Sequence, residues 1–190
     1  MNGRRFRAPV LVTVITAAMV SALLALAGPA QAAAPWCGIT WGSQPSVHTA
    51  PEYSGPWIYD IRSGRHACYD RLVIDIAEVG SFDTWSVRYV DTARGIGSGD
   101  PIATRGGAVL EVDLAAGVLN GDQVTYTPAD PSEVVRVGGY RTFRQVVWAG
   151  SYEGHTALGI GTRARLPFRV FTVASGPSDV RLVIDVAHRW

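Results

Sequence analysis

The sequence predicts an all-β protein, a two-sheet β-sandwich of about eight or nine short strands, on three observations. Beyond residue 32 the aliphatic side chains are 19 Val and 9 Ile against 7 Leu and no Met. Branched side chains suit a pleated, half-buried surface, whereas helical cores draw freely on Leu and Met. Gly and Pro supply 28 of those 158 residues, and they fall between apolar runs as strand punctuation. The runs themselves alternate with period two, and none keeps a helical apolar period over three turns.

The first 32 of the 190 residues read as an address. Arg4, Arg5 and Arg7 give a positive start, residues 8–27 carry no charge, and Ala30-Gln31-Ala32 fits the small-x-small pattern of a signal-peptidase site. A signal helix over 1–32, cleaved on export, is expected, so the protein is expected to be secreted and extracellular. The competing reading is a retained anchor, because twenty uncharged residues suffice to cross a bilayer. The Ala-rich run and its Gly28-Pro29 break favour cleavage. The adjacent arginines fit twin-arginine export and the general route equally.

Without that segment, 14 Arg and no Lys stand against 16 Asp+Glu, a formal charge of −2. Such a chain lacks the electrostatic footprint of a nucleic-acid binder. His48, His66, His155 and His188 are scattered without ligand spacing, so neither metal nor cofactor is expected. Outside the reducing cytosol Cys37 and Cys68 are expected to pair, closing a loop of about thirty residues worth about 3–4 kcal/mol. A redox role would want a Cys-x-x-Cys spacing, which is absent.

Residues 33–59 show neither period and hold Trp36, Trp41, Tyr53, Trp57 and Tyr59 among Pro and Ser. They read as an irregular, aromatic-rich lead-in laid across a core edge, ahead of a sandwich domain over 60–190. Strands are expected at Arg71–Ala77, Asp83–Asp91 and Ala108–Leu114, then at Gln123–Thr127 after the Asn120-Gly121-Asp122 turn. Glu133–Val137, Phe143–Trp148, Thr156–Ile160, Pro167–Ala174 and Val180–Ala187 follow, and Gly95–Pro101 is a loop. RLVIDIA (71–77) and RLVIDVA (181–187) are nearly identical. They imply two strands in equivalent environments, most simply one in each sheet. Leu72, Ile74, Ile76, Leu182, Ile184 and Val186 would face the core, while Asp75 and Asp185 face outward and pair with arginines across strands.

GRHACYDRLVIDI (64–76), VRYV (87–90), GIGTRARLPFRVFTV (159–173) and RLVIDVAH (181–188), in that order, resemble the AMIN-like domain of secreted actinobacterial proteins, over about residues 57–190. More distantly the strand motif is similar to the AMIN domain of envelope amidases and secretins. The resemblance implies a β-sandwich that directs a polypeptide to peptidoglycan or the division site and catalyses nothing. AMIN modules usually accompany a catalytic or secretin domain, and none is visible here. A free-standing binder or envelope component is therefore implied.

The chemistry-bearing patterns are weak by comparison. Gly95-x-Gly97-x-Gly99 precedes a strand-like segment, not the helix a phosphate cradle requires. Ser151, His155 and Asp185 contain the types of a serine triad without a nucleophile-elbow motif, which leaves a small secreted hydrolase as the alternative function. Glu111 and Asp113 share one strand face, an ordinary solvated pair. A structural or protein-interaction module of the envelope is the third reading, marked by a broad apolar patch. The favoured expectation is non-covalent recognition of peptidoglycan or a wall glycan by an aromatic–arginine face. Its candidate residues are Trp36, Trp41 and Trp57 as a stacking platform, Trp148 and Tyr152 as a second patch, and Arg144, Arg163 and Arg165, from a C-terminal group that includes Arg141 and Arg169, for anionic groups.

Overall fold

The computed structural model describes residues 36–50, 54–77, 82 and 84–190; the expected signal segment lies outside the described residues. A 3-10 turn at Trp36–Gly38 precedes the first strand. One antiparallel sheet has five strands in the order β1 (Ser46–His48), β4 (Trp85–Val90), β7 (Ala108–Leu114), β11 (His155–Thr162) and β10 (Phe143–Tyr152). The other has four, in the order β12 (Phe168–Ala174), β13 (Val180–Ala187), β3 (Tyr69–Ala77) and β2 (Trp57–Arg65). Two short ribbons, β5 (Ala93–Arg94) with β6 (Pro101–Ile102) and β8 (Leu119–Asn120) with β9 (Gln123–Val124), complete an all-β sandwich.

The period-two reading places the core. Leu72, Ile74 and Ile76 of β3 and Leu182, Ile184 and Val186 of β13 are buried against Val87, Leu110, Val112, Leu114, Leu158 and Ile160 of the facing sheet. Packing inner faces of two sheets this way removes the branched side chains from water at about 25 cal/mol per Å² of apolar area. Trp85 and Phe82 close one part of the core, with ring centroids 6.2 Å apart.

The structure corrects three expectations. The two RLVID strands do not lie one in each sheet but side by side in the same one, with Val73 opposite Val183. Glu133–Val137 is not a strand. It runs along the free edge of β10, with the Trp148 amide donating to Pro131 O (2.7 Å) and the Val134 amide to Val146 O (2.9 Å). Between those bonds the Gln145 side chain intervenes: Nε2 donates to Ser132 O and Oε1 accepts the Arg105 amide. Ladder pairing is lost there, yet the sheet edge is covered. The segment around Trp57, read as irregular, opens the nine-residue β2, eight residues of which pair with β3.

One buried polar knot ties the chain ends of these strands. Asp70 Oδ2 accepts the Thr142 and Phe143 amides, and its Oδ1 lies 3.1 Å from His188 Nε2. The other ring nitrogen of His188 lies 3.2 Å from Ala67 O, and its amide donates to Cys68 O. The Cys37–Cys68 disulfide forms as expected, with Cα atoms 6.4 Å apart, and holds the lead-in beside β3.

Candidate functional site

The outer face of the four-stranded sheet is built by the same alternation that builds the core. On β3 the outward residues are Arg71, Val73 and Asp75; on β13 they are Arg181, Val183 and Asp185. Antiparallel register sets Arg181 opposite Asp75 and Asp185 opposite Arg71. The motif is thus self-complementary: two copies centred on valine pair each arginine with the other copy's aspartate. The flanking strands add a second arginine to each acid, Arg169 of β12 opposite Asp185 and Arg62 of β2 beside Asp75.

The geometry is tight. Arg71 donates Nε and Nη2 to the two oxygens of Asp185 at 2.6 and 2.9 Å, and Arg169 Nε donates to Oδ2 at 2.8 Å. Asp75 Oδ1 accepts Arg181 Nε at 3.0 Å and Arg62 Nη2 at 3.1 Å, while Oδ2 lies off-axis 2.9 Å from Arg62 Nε. Asp185 is wholly buried and Asp75 is 3% exposed. A carboxylate so desolvated persists as an anion only when its lone pairs are filled by cationic donors. The hydrogen bond to Asp185 in turn raises the Arg71 pKa above its ordinary value, against the burial that lowers it.

Aromatic rings extend this lattice at one end. The Arg169 guanidinium sits over Phe171 (4.9 Å), Tyr69 (5.5 Å) and Trp41 (5.6 Å), and Arg71 over Tyr69 (5.1 Å) and Phe171 (5.6 Å). Trp41 packs edge-on against Tyr69. Beside these rings Arg62, Arg71 and Arg181 surround a hollow of about 290 Å³ floored by Val73 and Val183, with His66 and Gly64 at its margin.

The expected site residues are only partly brought together. Trp41 joins the arginine lattice and donates Nε1–H to Trp36 O; Trp36 donates to Cys68 O and lies under Arg189. Trp57 stands opposite Ala77, eight residues along β3 from Tyr69, about 27 Å at the strand rise. The three indoles therefore make no single platform. Trp148 packs half-buried on Tyr126, whereas Tyr152 is 55% exposed at the hairpin end beyond it. Arg144 Nη1 lies within 3.4 Å of the carbonyls of Tyr140, Arg141, Thr142 and Phe143, clamping its own loop. Arg163 donates to His188 O, and Arg165 covers Tyr89 and reaches Ser43 O. Arg141 is exposed away from the lattice, and only Arg169 of that C-terminal group enters it.

The larger hollow, about 830 Å³, lies under the Ala129–Tyr140 loop; most of its charged residues are engaged within the protein, while Arg136 is exposed. Arg105 pairs with Glu133, and Ser132 holds Asp130, whose pKa is lowered by those hydrogen bonds. Ser151 Oγ donates to the main-chain oxygen of His155, not its ring, and Asp185 belongs to the other sheet, so the triad types are not assembled. Glu111 pairs with Arg88, and Asp113 lies 3.6 Å from His155. The Gly95–Pro101 loop leads into the two-residue β6, not a helix. Among the described residues no cluster of His, Cys, Asp and Glu could hold a metal, and no helix is long and apolar enough to cross a membrane.

Sequence reasoning missed Arg62, Arg71 and Arg181 as a group because they are spread over 120 positions. The available signal was the self-complementarity of the repeated RLVID. Comparison with known proteins finds no matching curated protein and no matching solved structure. A family model, that of the AMIN-like domain, matches residues 56–188, most of the chain, and the family suggests a cell-envelope module. The chain belongs to the AMIN-like domain family.

Proposed function

We propose that this protein is a secreted, non-catalytic module that localises to the cell wall by binding peptidoglycan or a wall glycan through the outer face of its four-stranded sheet. The observation that carries the reading is the solvent-facing lattice of four arginines over two carboxylates, edged by Trp41, Tyr69 and Phe171. Arg62 and Arg181 keep 46% and 43% of their side-chain surface in water, and Val173 and Tyr59 are exposed on the same sheet. Guanidinium forks match carboxylate and phosphate groups, and rings beside them give a sugar face or a peptide backbone something to lie on. Wall polymers present both kinds of group.

Sedimentation with purified insoluble wall tests the reading. The protein is expected to enrich in the pellet over an unrelated secreted protein of similar size. No enrichment removes wall recognition as its function.

A further inference from the structure

We propose that the hollow bounded by Arg62, Arg71, Arg181 and His66 is an oxyanion-binding site that takes a carboxylate or phosphate group; with the wall reading above, on which this identification of the natural ligand rests, it is the group on the polymer that the module reads.

The surplus of positive charge comes from the way the lattice is built. One bidentate arginine would satisfy most of a buried carboxylate. Here each aspartate takes two, so four guanidiniums face two buried acids. Among the described residues two further acids lie nearby: Asp60, 3.8 Å from Arg62 Nε and 53% exposed, where water screens it, and Asp179, which acts on Tyr59 together with Asp75 and Arg181. The surplus belongs to the desolvated set, four guanidiniums on two buried carboxylates.

The donors that remain are directed. Arg62 and Arg71 spend Nε and Nη2 on the aspartates, and Arg181 spends Nε. That leaves Nη1 of Arg62 and Arg71 and both terminal nitrogens of Arg181 without a protein partner among the described residues. Because the aspartates already fix the guanidinium planes, a ligand orders little additional side chain on binding. The floor is apolar, with Val73 and Val183 6% and 3% exposed, and a low-dielectric floor strengthens each charge-assisted bond above it.

Gly64 makes the opening. It stands opposite Arg71 on β2, and a Cβ placed there would meet only His66 Nε2, at 3.5 Å. A larger side chain at 64 would project into the space an anion needs. His66 is held at that margin by stacking on Tyr69 with centroids 4.5 Å apart.

The test uses the whole protein with inorganic phosphate and acetate as probes, followed through the guanidinium NMR signals of its arginines. Saturable shifts confined to Arg62, Arg71 and Arg181 are expected. Gly64→Leu, which leaves every Arg–Asp pair in place, should weaken binding by at least about tenfold, while Gly64→Ala should keep it. His66→Ala, an exposed change, should weaken it as well and covers the case in which Gly64→Leu folds poorly. Equal shifts at Arg88 and Arg105, or undiminished binding in both Gly64→Leu and His66→Ala, overturn the site. Pelleting of Gly64→Leu on intact wall and on wall stripped of phosphate polymers then separates the sources. Binding that survives stripping and needs an open hollow identifies a carboxylate; binding lost on stripping identifies a phosphate. Pelleting with no anion signal at the hollow refutes this site and leaves wall recognition standing, whereas anion binding without pelleting refutes wall recognition and leaves the site.

Discussion

Asparagine at position 185 is the sharpest perturbation of the lattice, because the molecule carries its own control at position 75. Asp185→Asn keeps the shape and removes the charge. Three hydrogen bonds from Arg71 and Arg169 then fall on a neutral amide, one end of which offers hydrogens to donors. Breaking a fully buried ion pair costs about 3–5 kcal/mol, and the partial exposure of the two arginines (25% and 33%) lets water recover part of it. We expect a loss of about 3 kcal/mol, or about 6–12 °C in Tm for a domain of this size. Asp75→Asn loses two longer bonds to arginines that are nearly half in water, so about 1–2 kcal/mol is expected. Urea unfolding of the two variants beside the parent, with m-values compared, measures both. Equal losses, or less than about 1 kcal/mol at Asp185, would refute the claim that burial governs these pairs.

Three further outcomes are expected. Replacing Cys37 and Cys68 together by Ser should lower stability by about 3–4 kcal/mol, and intact mass should rise by two hydrogens when the parent is reduced; an unchanged mass would mean free thiols. Burial raises the Tyr89 pKa above its ordinary 10.0, so the folded state holds that proton more tightly than the unfolded chain. Its contribution is therefore complete below about pH 10 and is lost as pH rises through the folded value, and Tyr89→Phe should flatten the alkaline fall in Tm. That variant also strands Leu166 N–H and C=O, costing about 1–3 kcal/mol at neutral pH by thermal melts. Gly161→Ala sets a Cβ 1.9 Å from Arg105 O, a backbone atom, and should cost at least about 2 kcal/mol or abolish folding, scored by soluble yield and melting.

Period-two alternation was enough to locate the long core strands, because one face of each is continuously apolar, even where the charged outer face of β3 and β13 is buried too. It failed at β2 for a definite reason. The bulge between Ile58 and Asp60 puts inward-facing Ile58 and Ile61 three residues apart, a spacing with no strand signature. It failed at Glu133–Val137 in the opposite sense, since a β-rich run bordered by Pro131 and Gly138 covers an edge without joining the ladder. The outward arginines and aspartates were legible, and so was cross-strand pairing, but which arginine meets which acid depends on register between strands distant in sequence. Of the expected rings and arginines, Trp41 lies at the arginine lattice of the four-stranded sheet, whereas Trp57, Trp148, Arg144 and Arg163 lie elsewhere. Arg144 and Arg163 are spent on main-chain carbonyls, which composition cannot reveal.

The order of the four-stranded sheet also has a meaning in time. β13, the last strand in sequence, is an inner strand between β12 and β3. Until residues 180–187 leave the ribosome, Asp75 lacks Arg181, Asp185 and its two-arginine grip do not exist, and β3 shows a bare edge. The nascent chain thus has no way to finish one of its two layers early, and its closing step joins segments more than a hundred residues apart, which makes folding intrinsically slow.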